Sequence, residues 1–326
     1  MIKIALLDDY QDVAMKSADW NALPAECSVE VFQDHLVAED DLVQRLMDFD
    51  VIMAMRERTP FQRSLLQRLP NLKLLSTAGA RNASIDMEAA TELGILVCGT
   101  GGSRGATMEL TWGLILSLLR KIPREDRATR SGSWQETVGI GLDGKTIGIL
   151  GLGRIGSETA EVARAFHMNL IAWSQNLTPE RAEECGARLV GKEQLFSEAD
   201  IITIHLQLSD RTRGLIGAAD LARMKPTAFI VNTSRGPIIN EAALIDVLQR
   251  KAIAGAGVDV FEPEPLPRDH PILKLDNVVI TPHLGYVTEE TYEKFYGETI
   301  DNVRSFMGGE PARVINTDVL DQRRHL

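Results

Sequence analysis

The sequence predicts an α/β protein of two domains, the larger of them built on a doubly wound parallel sheet. Three observations predict it. At 326 residues the chain exceeds the size at which one hydrophobic core stops growing, so two domains of roughly 100 to 200 residues are expected. Short β-rich runs alternate with helical patterns almost throughout, as βαβ units do. Between Thr146 and Ala165 the segment TIGILGLGRIGSETAEVARA sets a β-branched strand, a GxGxxG loop and a helix rich in Ala and Glu in that order.

Residues 2–7, 29–32, 51–55, 74–77 and 95–98 read as strands, separated by helical patterns such as 38–47 and 61–69; together they make one small, flavodoxin-like α/β unit. A loop at 99–105 (GTGGSRG) opens a long apolar helix that runs to about residue 121 and is stopped by Pro123. An irregular stretch around Trp134 follows. Strands at 146–150, 170–173, 201–205, 228–232, 256–260 and 278–281 then suffice for a complete Rossmann sheet. A last helix, 289–307, ends at Gly308 and Gly309, and the apolar run 312–315 is expected to return to the first unit. The expected division is 1–100 with 287–326 for the smaller domain and 101–286 for the larger, inserted between the two pieces.

Hydrophobic residues make up 44% of the chain and charged ones 25%, with no biased tract, which is the balance of an ordinary folded protein. Lys plus Arg total 35 against 46 Asp plus Glu, a formal charge of −11. That excess of acid argues against nucleic acid or an anionic membrane as partner, but not against small anionic substrates, because a local group of arginines can dominate a site. Cys27, Cys98 and Cys185 form no CxxC pair and fit a reduced, cytoplasmic setting. The N-terminal MIKIALLDDY meets acidic residues after a short apolar run, so it reads as a strand and not as a signal peptide. The most apolar stretch, 110–119, falls well short of the roughly 20 residues that cross a bilayer.

In the glycine loop each glycine has a separate reason. Gly151 permits the tight turn, Gly153 lets the backbone approach a pyrophosphate, and Gly156 lets helix and strand pack closely. The helix start offers free N–H groups and a positive dipole end to the anion, with Arg154 and Ile155 supplying backbone contacts. A dinucleotide is therefore the expected cofactor. Where an NAD-selective site carries an acidic residue at the end of the next strand, this chain has Ser174 and Gln175, with no Lys or Arg at 174–178 either. NAD and NADP both stay open, and Ser174 is the candidate for a ribose or phosphate oxygen.

Three later segments, VNTSRGPIINEAAL (231–244), GVDVFEPEPLP (257–267) and TPHLGYVT (281–288), are read together with that loop. In this order they resemble the D-isomer-specific 2-hydroxyacid dehydrogenases, the family of glyoxylate/hydroxypyruvate reductases and phosphoglycerate dehydrogenase-like proteins. The similarity runs from the early strands to Asn316. It implies hydride transfer between NAD(P)H and a small 2-keto acid or D-2-hydroxy acid. Arg235 would bind the substrate carboxylate and keto oxygen, His283 would be the general acid/base, and Glu264 its partner. Each suits the chemistry: imidazolium can deliver a proton near neutral pH, a carboxylate on the far ring nitrogen fixes the tautomer and stabilises the charge, and guanidinium offers a planar fork. The resemblance also implies cofactor contacts at Thr107, His205, Thr233, Ser234, Asp259 and Gly285, with Asp259 near the carboxamide. A homodimer formed through the helix after Thr107 and an interdomain cleft that closes over the substrate are implied in the same way.

One segment departs from the family's pattern, in which a strand ends in GxGxDNID with backbone N–H groups facing the substrate carboxylate. Here it reads GARNASID, 79–86. Gly79 and Ala80 keep their places, Arg81 stands at the second glycine, and Ala83-Ser84 replace the Asp-Asn pair. Arg81, with Arg56 after the third strand, is the candidate for a cationic contact to a larger or doubly charged acid. Two other functions fit the same fold: an NAD(H)-sensing, corepressor-like binding protein, disfavoured by the complete Arg, Glu and His set, and a formate- or phosphite-type dehydrogenase, for which the sequence gives no positive sign. None of these roles requires a metal.

Overall fold

A computed structural model describes residues 1–323. The chain divides into two compact units, Met1–Arg104 with the segment from Val287 onward, and Gly105–Tyr286. Among the described residues no helix is long and apolar enough to cross a membrane.

The first unit holds five strands, β1 (Ile2–Leu6), β2 (Cys27–Val31), β3 (Val51–Ala54), β4 (Leu74–Thr77) and β5 (Leu96–Cys98), in the order β2-β1-β3-β4-β5. All pairings are parallel. β3 and β4 are buried at every residue, which is why they read as unbroken apolar runs and not as alternating ones. The run 312–315 does return to this sheet: Val314 bridges Cys98, and the Ile315 N–H donates to Val97 O at 2.8 Å. Asn316 fastens the return, its Oδ1 accepting from Val97 N (2.8 Å) and its Nδ2 donating to Ile95 O (2.9 Å).

The second unit holds β6 (Thr146–Leu150), β7 (Asn169–Trp173), β8 (Arg188–Leu189), β9 (Ile201–Ile204), β10 (Phe229–Asn232), β11 (Gly255–Val258) and β12 (Val278–Ile280), in the order β12-β11-β10-β9-β6-β7-β8. The chain leaves β6 toward β7 on one side and returns at β9 on the other. Open α/β sheets bind their ligands at such a reversal, which here falls at the carboxyl ends of β6 and β9. Six strands are expected from the sequence, and the seventh, β8, is a two-residue edge strand too short to carry a periodicity. Helix Ala106–Leu119 packs on β10, β11 and β12 and on helix Arg154–Ala165. Gly257 in β11 makes that approach possible, since a Cβ there would lie 3.2 Å from both Leu114 and Leu118.

The stretch after this helix differs from expectation. Lys121, at φ +57°, ends the helix, but Pro123 sits in the first turn of another, Ile122–Arg130. Proline's fixed φ and missing N–H suit a first helical turn as well as they break an interior one, so the residue read as a stop is also a start.

Candidate active site

The glycine loop lies where β6 meets helix Arg154–Ala165. Gly151 has φ +96°, in the region that favours glycine, and a Cβ on Gly156 would stand 1.9 Å from Gly151 O. A Cβ on Gly153 would meet nothing within 4 Å. Two glycines are therefore demanded by the loop's own packing and the third faces open space, which is the arrangement a pyrophosphate cradle needs. Arg154 and Ile155 begin the helix, and Arg154 pairs with Glu158 at 3.5 Å.

His205 follows β9 and walls the loop from the other side of the reversal: a Cβ on Gly151 would lie 2.9 Å from His205 O, and one on Gly156 would lie 3.5 Å from the His205 Cβ. Its Nε2 is 3.0 Å from Thr203 Oγ1. Burial pulls the imidazole from 6.5 down to about 4. A histidine lowered on folding binds its proton more readily when unfolded, so its contribution to stability is complete above pH 6.5 and fades as pH falls toward about 4. Discounted for the ring's partial exposure, the loss by about pH 5 is about 1–2 kcal/mol. Urea unfolding of wild type and His205→Gln at neutral pH and at about pH 5 checks this: wild type should lose about 1–2 kcal/mol more than the variant, and equal losses contradict it.

At the ends of β10 and β11 the other candidates form one network. Asn232 braces the turn that carries Arg235, its Oδ1 accepting from Ser234 N (3.0 Å) and its Nδ2 donating to Arg235 O (3.0 Å). Ser234 Oγ donates to Leu206 O, Thr233 Oγ1 lies 2.8 Å from Thr111 Oγ1, and Arg235 Nη1 donates to Ser234 O at 2.7 Å. Gly236 admits no side chain, because a Cβ would stand 2.6 Å from the carbonyl carbon of Phe261. That close approach fixes the Arg235 turn against the segment that carries Glu264.

Glu264 joins two strand ends. Its Oε1 accepts from Phe261 N at 2.7 Å, and its Oε2 lies 2.6 Å from His283 Nδ1. With Nδ1 taken, Nε2 is the ring atom left to exchange a proton with a ligand. His283 has φ +56°, a left-handed conformation that costs a non-glycine residue on the order of 1–3 kcal/mol and is over-represented at functional sites. The surrounding bonds enforce it: His283 N donates to Asp259 O (2.7 Å), and the His283 ring meets Tyr286 edge to face at 5.6 Å.

Asp259 holds the loop from beneath. Its Oδ1 accepts from Thr281 Oγ1 (2.6 Å) and Leu284 N (2.7 Å), and its Oδ2 from Gly285 N (2.9 Å). Burial pushes this carboxyl up while those three hydrogen bonds pull against it. Expected as a cofactor contact, Asp259 has its carboxylate committed to the loop's own backbone and hydroxyl. Thr107 joins the same network, donating to Gly285 O at 2.8 Å.

Arg56, Gly79, Ala80 and Arg81 lie in the other unit. Arg56, at φ +54°, lays its guanidinium over Gly79, where a Cβ would stand 1.9 Å from Nη1, and donates to Ala78 O at 3.2 Å. Ala80 and Arg81 are exposed. The residue that shapes this loop is one the motifs do not single out, Asn82. Buried, it donates from Nδ2 to Arg56 O (2.6 Å) and Thr77 Oγ1 (2.9 Å), while its Oδ1 accepts from both N (2.9 Å) and Oγ (2.7 Å) of Ser84. An Asn two residues before a Ser is the available signal, that of an Asx turn.

Residues 112–285 match the family model described as D-isomer specific 2-hydroxyacid dehydrogenase, NAD binding domain. A glyoxylate reductase from Aeropyrum pernix is 40% identical over 80% of this chain and 81% of its own. A D-3-phosphoglycerate dehydrogenase from Methanocaldococcus jannaschii is 37% identical over 99% of this chain, which spans 61% of that relative's length. Among solved structures, a phosphoglycerate oxidoreductase from Vibrio cholerae O395 superposes with a TM-score of 0.90 at 38% identity, covering 95% of this chain and all of that one.

Proposed function

Because the chain belongs to the D-isomer specific 2-hydroxyacid dehydrogenase family, we propose that it interconverts a small 2-keto acid and the D-2-hydroxy acid with NAD or NADP. The observation that carries this is the 2.6 Å contact between His283 Nδ1 and Glu264, next to a turn that Gly236 presses against Phe261 to fix Arg235. When bound, the dinucleotide supplies the hydride that reaches the carbonyl carbon. His283 gives its Nε2 proton to the keto oxygen as the C=O π pair moves there, and Glu264 keeps Nδ1 protonated throughout. Arg235 grips the substrate carboxylate and polarises the keto oxygen through its planar fork. In the reverse direction His283 takes the hydroxyl proton.

Gly151, Gly153, Arg154, Ile155 and Gly156 are assigned to the pyrophosphate, and Ser174, His205, Thr233, Ser234, Asp259, Thr107 and Gly285 to the rest of the dinucleotide. Arg56, Gly79, Ala80 and Arg81 are assigned to the substrate. Supplying NAD or NADP with the D and L isomers of glycerate and lactate tests the assignment. Reduced dinucleotide should accumulate with at least one D isomer and with neither L isomer; turnover of an L isomer at equal rate overturns it.

The chain is also assigned to homodimers in a reducing, cytoplasmic compartment. Trp134 and Val138, 78% and 93% exposed beyond helix Ile122–Arg130, are apolar side chains fit to meet a second copy, and Cys27, Cys98 and Cys185 form no disulfide. Sedimentation should show a dimer for wild type and a shift toward monomer for Trp134→Glu; a monomeric wild type contradicts the dimer.

A further inference from the structure

The turn after β7 runs Ser174, Gln175, Asn176, Leu177, Thr178, with no carboxylate to hold ribose hydroxyls or to repel a phosphate. Two arginines from beyond this turn reach its surroundings, one on the glycine loop and one on the turn itself. Arg181, in helix Pro179–Glu184, folds back so that its Nε donates to Leu152 O at 3.3 Å, between Gly151 and Gly153 of the dinucleotide loop. Arg211, from the segment after β9, brings Nη2 to 3.5 Å from Asn176 Oδ1, and its own carbonyl accepts from Gln175 Nε2 at 3.3 Å. Both therefore flank the place where the loop backbone and the end of β7 would receive the adenosine ribose. Of the nearby acids, Glu180 is held by Thr178 and its own backbone at the helix start, and Glu184, 65% exposed and paired with Arg181 Nη1 at 3.0 Å, is the partner that an incoming phosphate displaces. Arg181 keeps 44% of its side chain exposed, so its fork can turn to an incoming anion.

Resting on the dehydrogenase reading above, we propose that this chain prefers NADPH to NADH because Arg181 and Arg211 bind the 2′-phosphate. A phosphate dianion between two planar guanidinium forks gains charge-assisted hydrogen bonds that a ribose hydroxyl cannot match. Neither arginine falls at 174–178, where such a cation is sought in sequence, and only the folded turn brings them there.

Calorimetric titration of the whole protein, which needs no turnover, decides it. NADPH should bind about ten- to a hundredfold more tightly than NADH, and adenosine 2′,5′-bisphosphate more tightly than 5′-AMP, from which it differs only in the 2′-phosphate. Arg181→Ala and Arg211→Ala should each remove about tenfold or more of the NADPH affinity and move that for NADH by less than about twofold, with unchanged melting curves. Ser174→Asp should reverse the order of the two cofactors. Added salt should weaken NADPH more than NADH. Equal or tighter binding of NADH by wild type overturns the proposal and leaves the dehydrogenase reading standing; so does an equal loss of both cofactors in the arginine variants, which marks those residues as structural. Binding of neither dinucleotide overturns both.

Discussion

Replacing His283 by Ala should lower kcat for keto-acid reduction by about 10²- to 10⁴-fold, the worth of a positioned general acid, while the dinucleotide binds as before. The geometry makes the loss specific. Glu264 at Nδ1 and the backbone bond to Asp259 fix where the His283 ring presents its proton, and alanine presents none. Glu264→Gln tests the partner separately. An amide in place of the carboxylate beside Nδ1 can still orient the ring but carries no negative charge, so the rate should fall less than in His283→Ala. If His283→Ala reduces its best substrate at near the wild-type rate, the proton comes from elsewhere.

The glycine loop supports a prediction of comparable size, because its glycines fail in different ways. Gly156→Ala sets a Cβ 1.9 Å from the backbone O of Gly151, with no flexible side chain to yield. The loop must shift, which should destabilise the protein by about 1–3 kcal/mol and misplace the N–H groups at the helix start. Removing one charge-assisted hydrogen bond to the pyrophosphate costs about 1.5–3 kcal/mol, or about ten- to a hundredfold in dinucleotide affinity. Gly153→Ala meets nothing within 4 Å and should melt like wild type, yet bind the dinucleotide more weakly because its methyl enters the space for the pyrophosphate. Urea unfolding and a dinucleotide titration on both variants separate packing from binding. Wild-type affinity in Gly153→Ala would show that the pyrophosphate does not approach that glycine.

Much of this was legible in the sequence because the features are local. The run TIGILGLGRIGSETAEVARA carries strand, turn and helix within 20 residues, and the buried strands of a parallel sheet announce themselves as apolar runs. Segments 231–244, 257–267 and 281–288 place Arg235, Glu264 and His283 at successive strand ends, so their convergence follows from the order of β10, β11 and β12. What sequence could not give depends on contacts between distant residues. Glu264 reaching Phe261 N as well as His283, and Asp259 spending its carboxylate on the 281–285 loop, follow from how that loop folds back on β11. Arg181 meets Leu152 from 29 positions away, and Asn82 holds Arg56 O from 26. The second helix after Pro123 was hidden for a different reason, since one residue type both ends and begins helices. β8, two residues long, leaves no pattern to read.

The central claim is tested most directly by following oxidation of NADH and of NADPH with glyoxylate, hydroxypyruvate, pyruvate and a dicarboxylic 2-keto acid, with the configuration of the product determined. The expected result is turnover of at least one of these acids, a D-2-hydroxy acid wherever the product is chiral, and disappearance of that turnover in His283→Ala. A protein that binds the dinucleotide but reduces none of the four acids would contradict it.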